Sequence, residues 1–147
     1  MADRQKMKPI KLKEGWSAEG ELPYNRIPAY KAAFDCYKEC QLRFRGVPVD
    51  SRPEAREVKA KLLRAMVCIA HARLNIKVLE SLQEAVELAL EVQIIIRVLV
   101  DINAITKKDF ALITKFSESL LRQMVGWAAS ENKKGKNDDE QRKEEIK

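Results

Sequence analysis

An all-α fold, an up-and-down four-helix bundle, is predicted by three features of the 147-residue chain. Apolar residues recur every third or fourth position in four separate segments, the spacing that lines one face of an α-helix. No stretch alternates apolar and polar residues as a half-buried strand does. The chain is 46% apolar and 34% charged, with only five glycines and five prolines, a composition that suits helices and argues against a sandwich or a disordered chain. The length allows one domain with one core. The expected organisation is an extended arm over residues 1–24, the bundle over 25–130 and a disordered or frayed charged tail over 131–147.

The arm is polar, and Pro9, Gly15, Gly20 and Pro23 interrupt any periodicity in it. From Asn25 to about Arg45, Ile27, Tyr30, Phe34, Tyr37 and Phe44 recur at helical spacing until GVPVD, residues 46–50, ends the run. A second helix is announced by Ser51 and Glu54 in the capping-box pattern, with Pro53 in the first turn, where its missing N–H costs nothing. Val58, Leu62, Ala65, Ile69, Ala72 and Ile76 then follow at alternating four- and three-residue steps, the seam of a bundle. Leu63, Met66, Val67, Ala70 and Leu74 add a second apolar flank.

Ser81 and Glu84 repeat the capping pattern, which places the start of a third helix near them after a break around 76–80; it reaches about Ala104. Thr106 with Asp109 marks a fourth start, followed by Phe110, Ile113, Leu120, Met124 and Trp127. Gly126 beside Trp127 is expected to let a neighbouring element approach closely. Helices of about 20–27 residues at 1.5 Å per residue are about 30–40 Å long and matched in length.

The stretch EVQIIIRVLV, residues 91–100, hardly has a polar face. The outward row of the third helix begins with Glu80, Glu84, Glu87 and Glu91 and continues into Ile94 and Val98. An exposed apolar patch of that kind is unusual on a soluble monomer. The expected cover is a second copy of the chain, with Ile94, Ile95, Arg97 and Val98 at a homo-oligomer interface; the alternative is a slightly irregular bundle in which the first 24 residues wrap the helix. Gln93 and Arg97 are one turn apart in apolar surroundings and read as polar pins that fix the register of that interface. A lipid cover is not expected, because residues 85–105 carry Glu87, Glu91, Arg97 and Asp101. The odd number of cysteines and the polar N-terminus, without the apolar core of a signal peptide, point to a reducing, cytoplasmic setting.

The net charge is +6, and its distribution is uneven. Residues 51–78 hold seven Lys and Arg against two Glu, whereas residues 79–105 hold one Arg against five acidic residues. Two readings follow. The helices pair electrostatically as neighbours, or Arg56, Lys59, Lys61, Arg64, Arg73 and Lys77 meet an anionic partner such as RNA or DNA. A ring of identical subunits would multiply a modest protomer charge into a strong field with salt-sensitive affinity for nucleic acid. With no base-reading motif, such binding is expected to follow the backbone.

No catalytic residues are expected. The chain has a lone His71 with no serine elbow, no phosphate-binding loop, no dinucleotide fingerprint and no E-x-x-H pair of a di-iron bundle. Cys36 and Cys40 are one turn apart, as are Cys68 and His71, so three thiols and an imidazole form a permitted tetrahedral zinc set. The alternative, in which the cysteines pack as small apolar residues, is the expected one, with no metal and no cofactor.

ITKKDFALITKFSESLLRQMVGWAAS, residues 105–130, resembles the C-terminal helix of the accessory variability determinant proteins, small four-helix bundles encoded beside the reverse transcriptases of diversity-generating retroelements. The isoleucine–threonine start, Phe110 and the closing QMVGWAAS with Gly126 and Trp127 carry the likeness. RLNIKVLESLQEAVELALEVQIIIRVLVDINAI before it is similar in its basic helix end at Arg73 and Lys77 and its acidic helix turning apolar. The resemblance covers roughly residues 27–130. It implies a barrel-shaped homopentamer, with Trp127 also at the subunit interface, that binds the cognate reverse transcriptase and template RNA or complementary DNA without being an enzyme. The arm and the tail have no counterpart in the family pattern. The same bundle occurs in proteins encoded by intervening sequences of large-subunit ribosomal RNA genes, which implies the alternative of a structural or RNA-associated role.

Overall fold

The computed structural model describes residues 27–146, with side chains through Gly135; the expected arm over residues 1–24 lies outside them. Four helices carry the fold: α1 (Pro28–Arg43), α2 (Arg52–Arg73), α3 (Val78–Asp101) and α4 (Lys107–Ile146). Each packs against its neighbours in the chain, and α1 packs against α4, so the four close a ring around one core. The described residues contain no strand.

The helices are unequal rather than matched. At 1.5 Å per residue, α1 with 16 residues is about 24 Å long and α4 with 40 is about 60 Å. The backbone of α4 runs on as helix through the mixed-charge segment to Ile146, past the end of α1, and Lys134 sits 3.4 Å from Glu131 one turn back.

Three starts were expected from capping patterns, and the structure separates them. Thr106 caps α4 as read: its Oγ1 accepts the Asp109 N–H at 3.0 Å. Ser51 does precede α2 and Pro53 does lie in the first turn, but the Ser51 side chain makes no cap bond. A 3-10 turn over Val49–Ser51 leads into the helix and leaves Ser51 buried. Glu54, its expected reciprocal partner, has a buried oxygen with no hydrogen bond. The Ser81 cap is corrected outright. α3 begins three residues earlier, at Val78, and Ser81 Oγ donates to the Ile76 carbonyl at 3.1 Å instead.

Asparagine, not proline or glycine, stops α2 and α3. After Arg73, Asn75 has φ 60° while its N–H reaches the Ala72 carbonyl and the Ile76 N–H reaches His71. After Asp101, Asn103 has φ 62° while its N–H reaches Val100 and the Ala104 N–H reaches Leu99. Both are the paired backbone closure that satisfies orphan carbonyls when one residue turns left-handed, a conformation asparagine tolerates.

Five of the six residues read as the seam of the second helix, Val58, Leu62, Ala65, Ile69 and Ala72, are buried with Leu82, Ala85, Ala89, Val92, Ile96 and Leu99 of α3 and Ile113, Leu120 and Met124 of α4. Ile76 instead falls in the turn after α2 and is half-buried. The first helix keeps only part of its expected pattern: Ile27 and Phe44, which flank its ends, are buried. Its buried side is small, Ala29, Ala32, Ala33, Cys36 and Cys40, whereas Tyr30 and Tyr37 flank the core and Phe34 is exposed. Small residues let α1 lie close to α2 and α4, and the bulky rings are left at its edges.

Candidate nucleic-acid and subunit interfaces

The basic α2 and the acidic α3 lie side by side, and part of the α2 charge is spent on that contact. Arg64 Nε donates to Glu84 Oε1 at 2.9 Å, and Lys61 Nζ reaches Glu91 Oε2 at 3.2 Å and Glu57 at 3.6 Å. Lys59 donates to Gln41 of α1 at 2.8 Å. The hydrogen bond with Glu84 raises the Arg64 guanidinium further, and the bonds from Arg64 and Cys68 hold the Glu84 carboxyl below its ordinary value.

Arg56, Arg73 and Lys77 are exposed and form no ion pair among the described residues. They do not make one patch. Arg56 stands in the first turns of α2 beside the exposed Arg52, whereas Arg73 ends the helix and Lys77 precedes α3. Seventeen residues of helix between Arg56 and Arg73 amount to about 26 Å. Sequence reading missed a third group: Lys31 of α1 and Lys115 and Arg122 of α4 line one groove. Their separation in the chain hides this, and only the α1–α4 packing brings them together.

The outer face of α3 is apolar where expected. Leu90 is 44% exposed, Ile94 64% and Val98 45%, and on α2 Leu63 and Val67 are 48% and 47% exposed. Leu90, Ile94 and Val98, spaced one turn apart, form an uncovered apolar row on the outer side of α3. Of the other residues read as interfacial, Ile95 and Trp127 are half-buried against the core. Arg97 is exposed, 3.4 Å from Asp101 and 5.7 Å over the Phe110 ring, and so is held by its own chain.

Cys36, Cys40 and Cys68 are buried and unpaired, and His71 is exposed. Among the described residues no three His, Cys, Asp or Glu side chains converge as metal ligands. Cys36 Sγ faces the Ile113 carbonyl at 4.0 Å. A hydrogen bond with Cys36, then burial, pushes the Cys40 thiol far above the ordinary value, and burial followed by Glu84 pushes Cys68 up to about 11. Such thiols stay protonated at neutral pH and behave as small packing residues.

Gly126 marks no close approach among the described residues, since a Cβ there would meet nothing of them within 4 Å. It faces a cavity of about 510 Å³ between the end of α2 and the α1–α4 pair, lined also by Ile27, Arg73, Gln123 and Trp127. No helix of the described residues is long and apolar enough to cross a membrane. Comparison of the chain with protein-family models, curated proteins and solved structures gives no match.

Proposed function

We propose that the protein is a non-enzymatic, homo-oligomeric adaptor of the accessory variability determinant type, which holds template RNA or its complementary DNA and docks the reverse transcriptase of a diversity-generating retroelement. The observation that carries this reading is the outer face of α3, where Leu90, Ile94 and Val98 stand exposed at one-turn spacing. A second copy is the cover that matches it, and burial at about 25 cal/mol per Å² supplies the association energy. A closed ring, a pentamer in the family it resembles, repeats every protomer's uncommitted cations around one particle. Arg56, Arg73 and Lys77 are those cations on and beside α2, because Lys59, Lys61 and Arg64 already have partners within the protomer. A reducing, cytoplasmic setting goes with this role and with three unpaired cysteines.

The test is a gel-shift titration with single-stranded RNA at two salt concentrations, together with pull-down of a reverse transcriptase encoded beside the gene. Arg56→Glu, Arg73→Glu and Lys77→Glu combined are expected to abolish the salt-sensitive shift with helical content unchanged. Equal RNA binding and equal polymerase capture by the triple variant would remove these cations from the mechanism.

A further inference from the structure

The cavity beside Trp127 and the groove holding Lys31, Lys115 and Arg122 adjoin, because Pro28 and Gln123 line both. The cavity is walled by Ile27 and the Trp127 indole, with the exposed Arg73 among its lining residues. Its volume of about 510 Å³ falls within the range of small-ligand sites. Gln123 contributes the polar feature. Its Nε2 donates to Ser119 Oγ at 3.1 Å, while its Oε1 is buried and accepts nothing.

Among the described residues along the groove, Lys31, Lys115 and Arg122 form no ion pair, and the one carboxylate, Asp35, is engaged 3.5 Å from Lys38. Phe116 lies in the same groove, 6.0 Å from the Lys115 ammonium. The surface thus joins an aromatic pocket and one cation to a track of three further cations. A molecule that matches it is flat at one end and continues as a chain of anions.

We propose that this α1–α4 surface binds single-stranded nucleic acid, with one unstacked base inserted against Trp127 and the following phosphates on Arg122, Lys31 and Lys115. Arg73 takes the phosphate of the inserted nucleotide. Duplex cannot enter, since its base faces are already stacked; single strands present a free face for an aromatic platform and a flexible anionic backbone. The proposal rests on the nucleic-acid reading above but uses a different face of the protomer from the α2 cations, Arg73 excepted.

The test uses the full chain carrying Trp16→Phe, which leaves Trp127 as the single indole of the two in the sequence. Its fluorescence is followed during titration with a deoxyadenosine oligomer of about twelve nucleotides, an abasic oligomer of equal length and the corresponding duplex. The deoxyadenosine oligomer is expected to quench Trp127 saturably, and the other two are expected not to. Trp127→Ala is expected to weaken oligomer binding about tenfold and Trp127→Phe to restore most of it. Should Trp127→Ala disturb folding, Arg122→Glu carries the same comparison by gel shift.

Equal quenching by the abasic oligomer, or an oligomer shift without any quenching, would overturn the pocket while leaving the general nucleic-acid reading in place. Loss of every shift with the unaltered chain would sink both. A change in Trp127 emission on deleting residues 1–24, with no response to oligomer in the full chain, would instead assign the cavity to the chain's own N-terminal segment and overturn the proposal.

Discussion

Arg64 of α2 donates to Glu84 of α3 at 2.9 Å, and Arg64, with the Cys68 thiol one turn further along α2, holds the Glu84 carboxyl below its ordinary value. The α2–α3 pairing is therefore local and exposed, so it aligns two helices and adds little to stability. Arg64→Ala is expected to leave the denaturant midpoint within experimental scatter. A large drop would mean that the exposed pair carries more of the fold than its solvent contact allows.

Cys68 gives the protein a stability dependence at high pH. Its thiol is raised from 9.0 to about 11, by burial first and then by Glu84. A raised folded-state value stabilises the fold below the unfolded value and loses that contribution as pH climbs through the folded one. Stability is expected to fall between about pH 9 and pH 11. Cys68→Ala should flatten that slope in urea titrations relative to the unaltered chain. Parallel slopes would show that the thiol is not linked to folding.

Glu84 works in the opposite sense. Its carboxyl is held low by Arg64 and Cys68, so its contribution is present above the ordinary carboxylate value and disappears as pH falls through the depressed one. With the side chain well exposed that contribution is small, and Glu84→Gln should change acid unfolding only slightly.

In the core, Leu120 and Ile113 of α4 face α1 and α3 and are fully buried. Leu120→Ala is expected to cost about 2–5 kcal/mol in equilibrium unfolding, the range for a large aliphatic side chain removed from a closed site. A loss under about 1 kcal/mol would mean that the bundle collapses around the deletion.

Asn75 and Asn103 hold left-handed backbone at the ends of α2 and α3. Asn75→Gly and Asn103→Gly should be neutral or mildly stabilising, whereas Asn75→Val should cost about 1–2 kcal/mol, because a β-branched residue meets the steric penalty of that conformation. Thermal melts of the three variants check the order.

How much of this was legible in the sequence differs by element. The α2 seam was, because Val58, Leu62, Ala65, Ile69 and Ala72 repeat without interruption and all five are buried. The start of α4 was, because Thr106 and Asp109 sit alone before one periodic run. The start of α3 was not: Ser81 and Glu84 match a cap, but the turn set by Asn75 and Lys77 releases the chain into helix at Val78 before Ser81 is reached. The missed signals were Asn75, inside the run that Ile76 extends, and Asn103, one residue past Ile102. On α1, aromatic spacing suggested a core stripe, but tight packing against two neighbours favours alanine and cysteine. The surfaces were half legible. Charge counts located the basic helix but not which cations the acidic neighbour would engage, and the α1–α4 cationic groove arises from residues too far apart in the chain for spacing to reveal.

The account depends most on what covers Leu90, Ile94 and Val98, which its own chain leaves exposed among the described residues. Sedimentation equilibrium of the purified protein at micromolar concentration measures this directly. A single species at several times the 16.9 kDa protomer mass is predicted, reduced to one protomer by Ile94→Asp with Val98→Asp while helical content is retained. A folded, monodisperse monomer in the unaltered protein would contradict it.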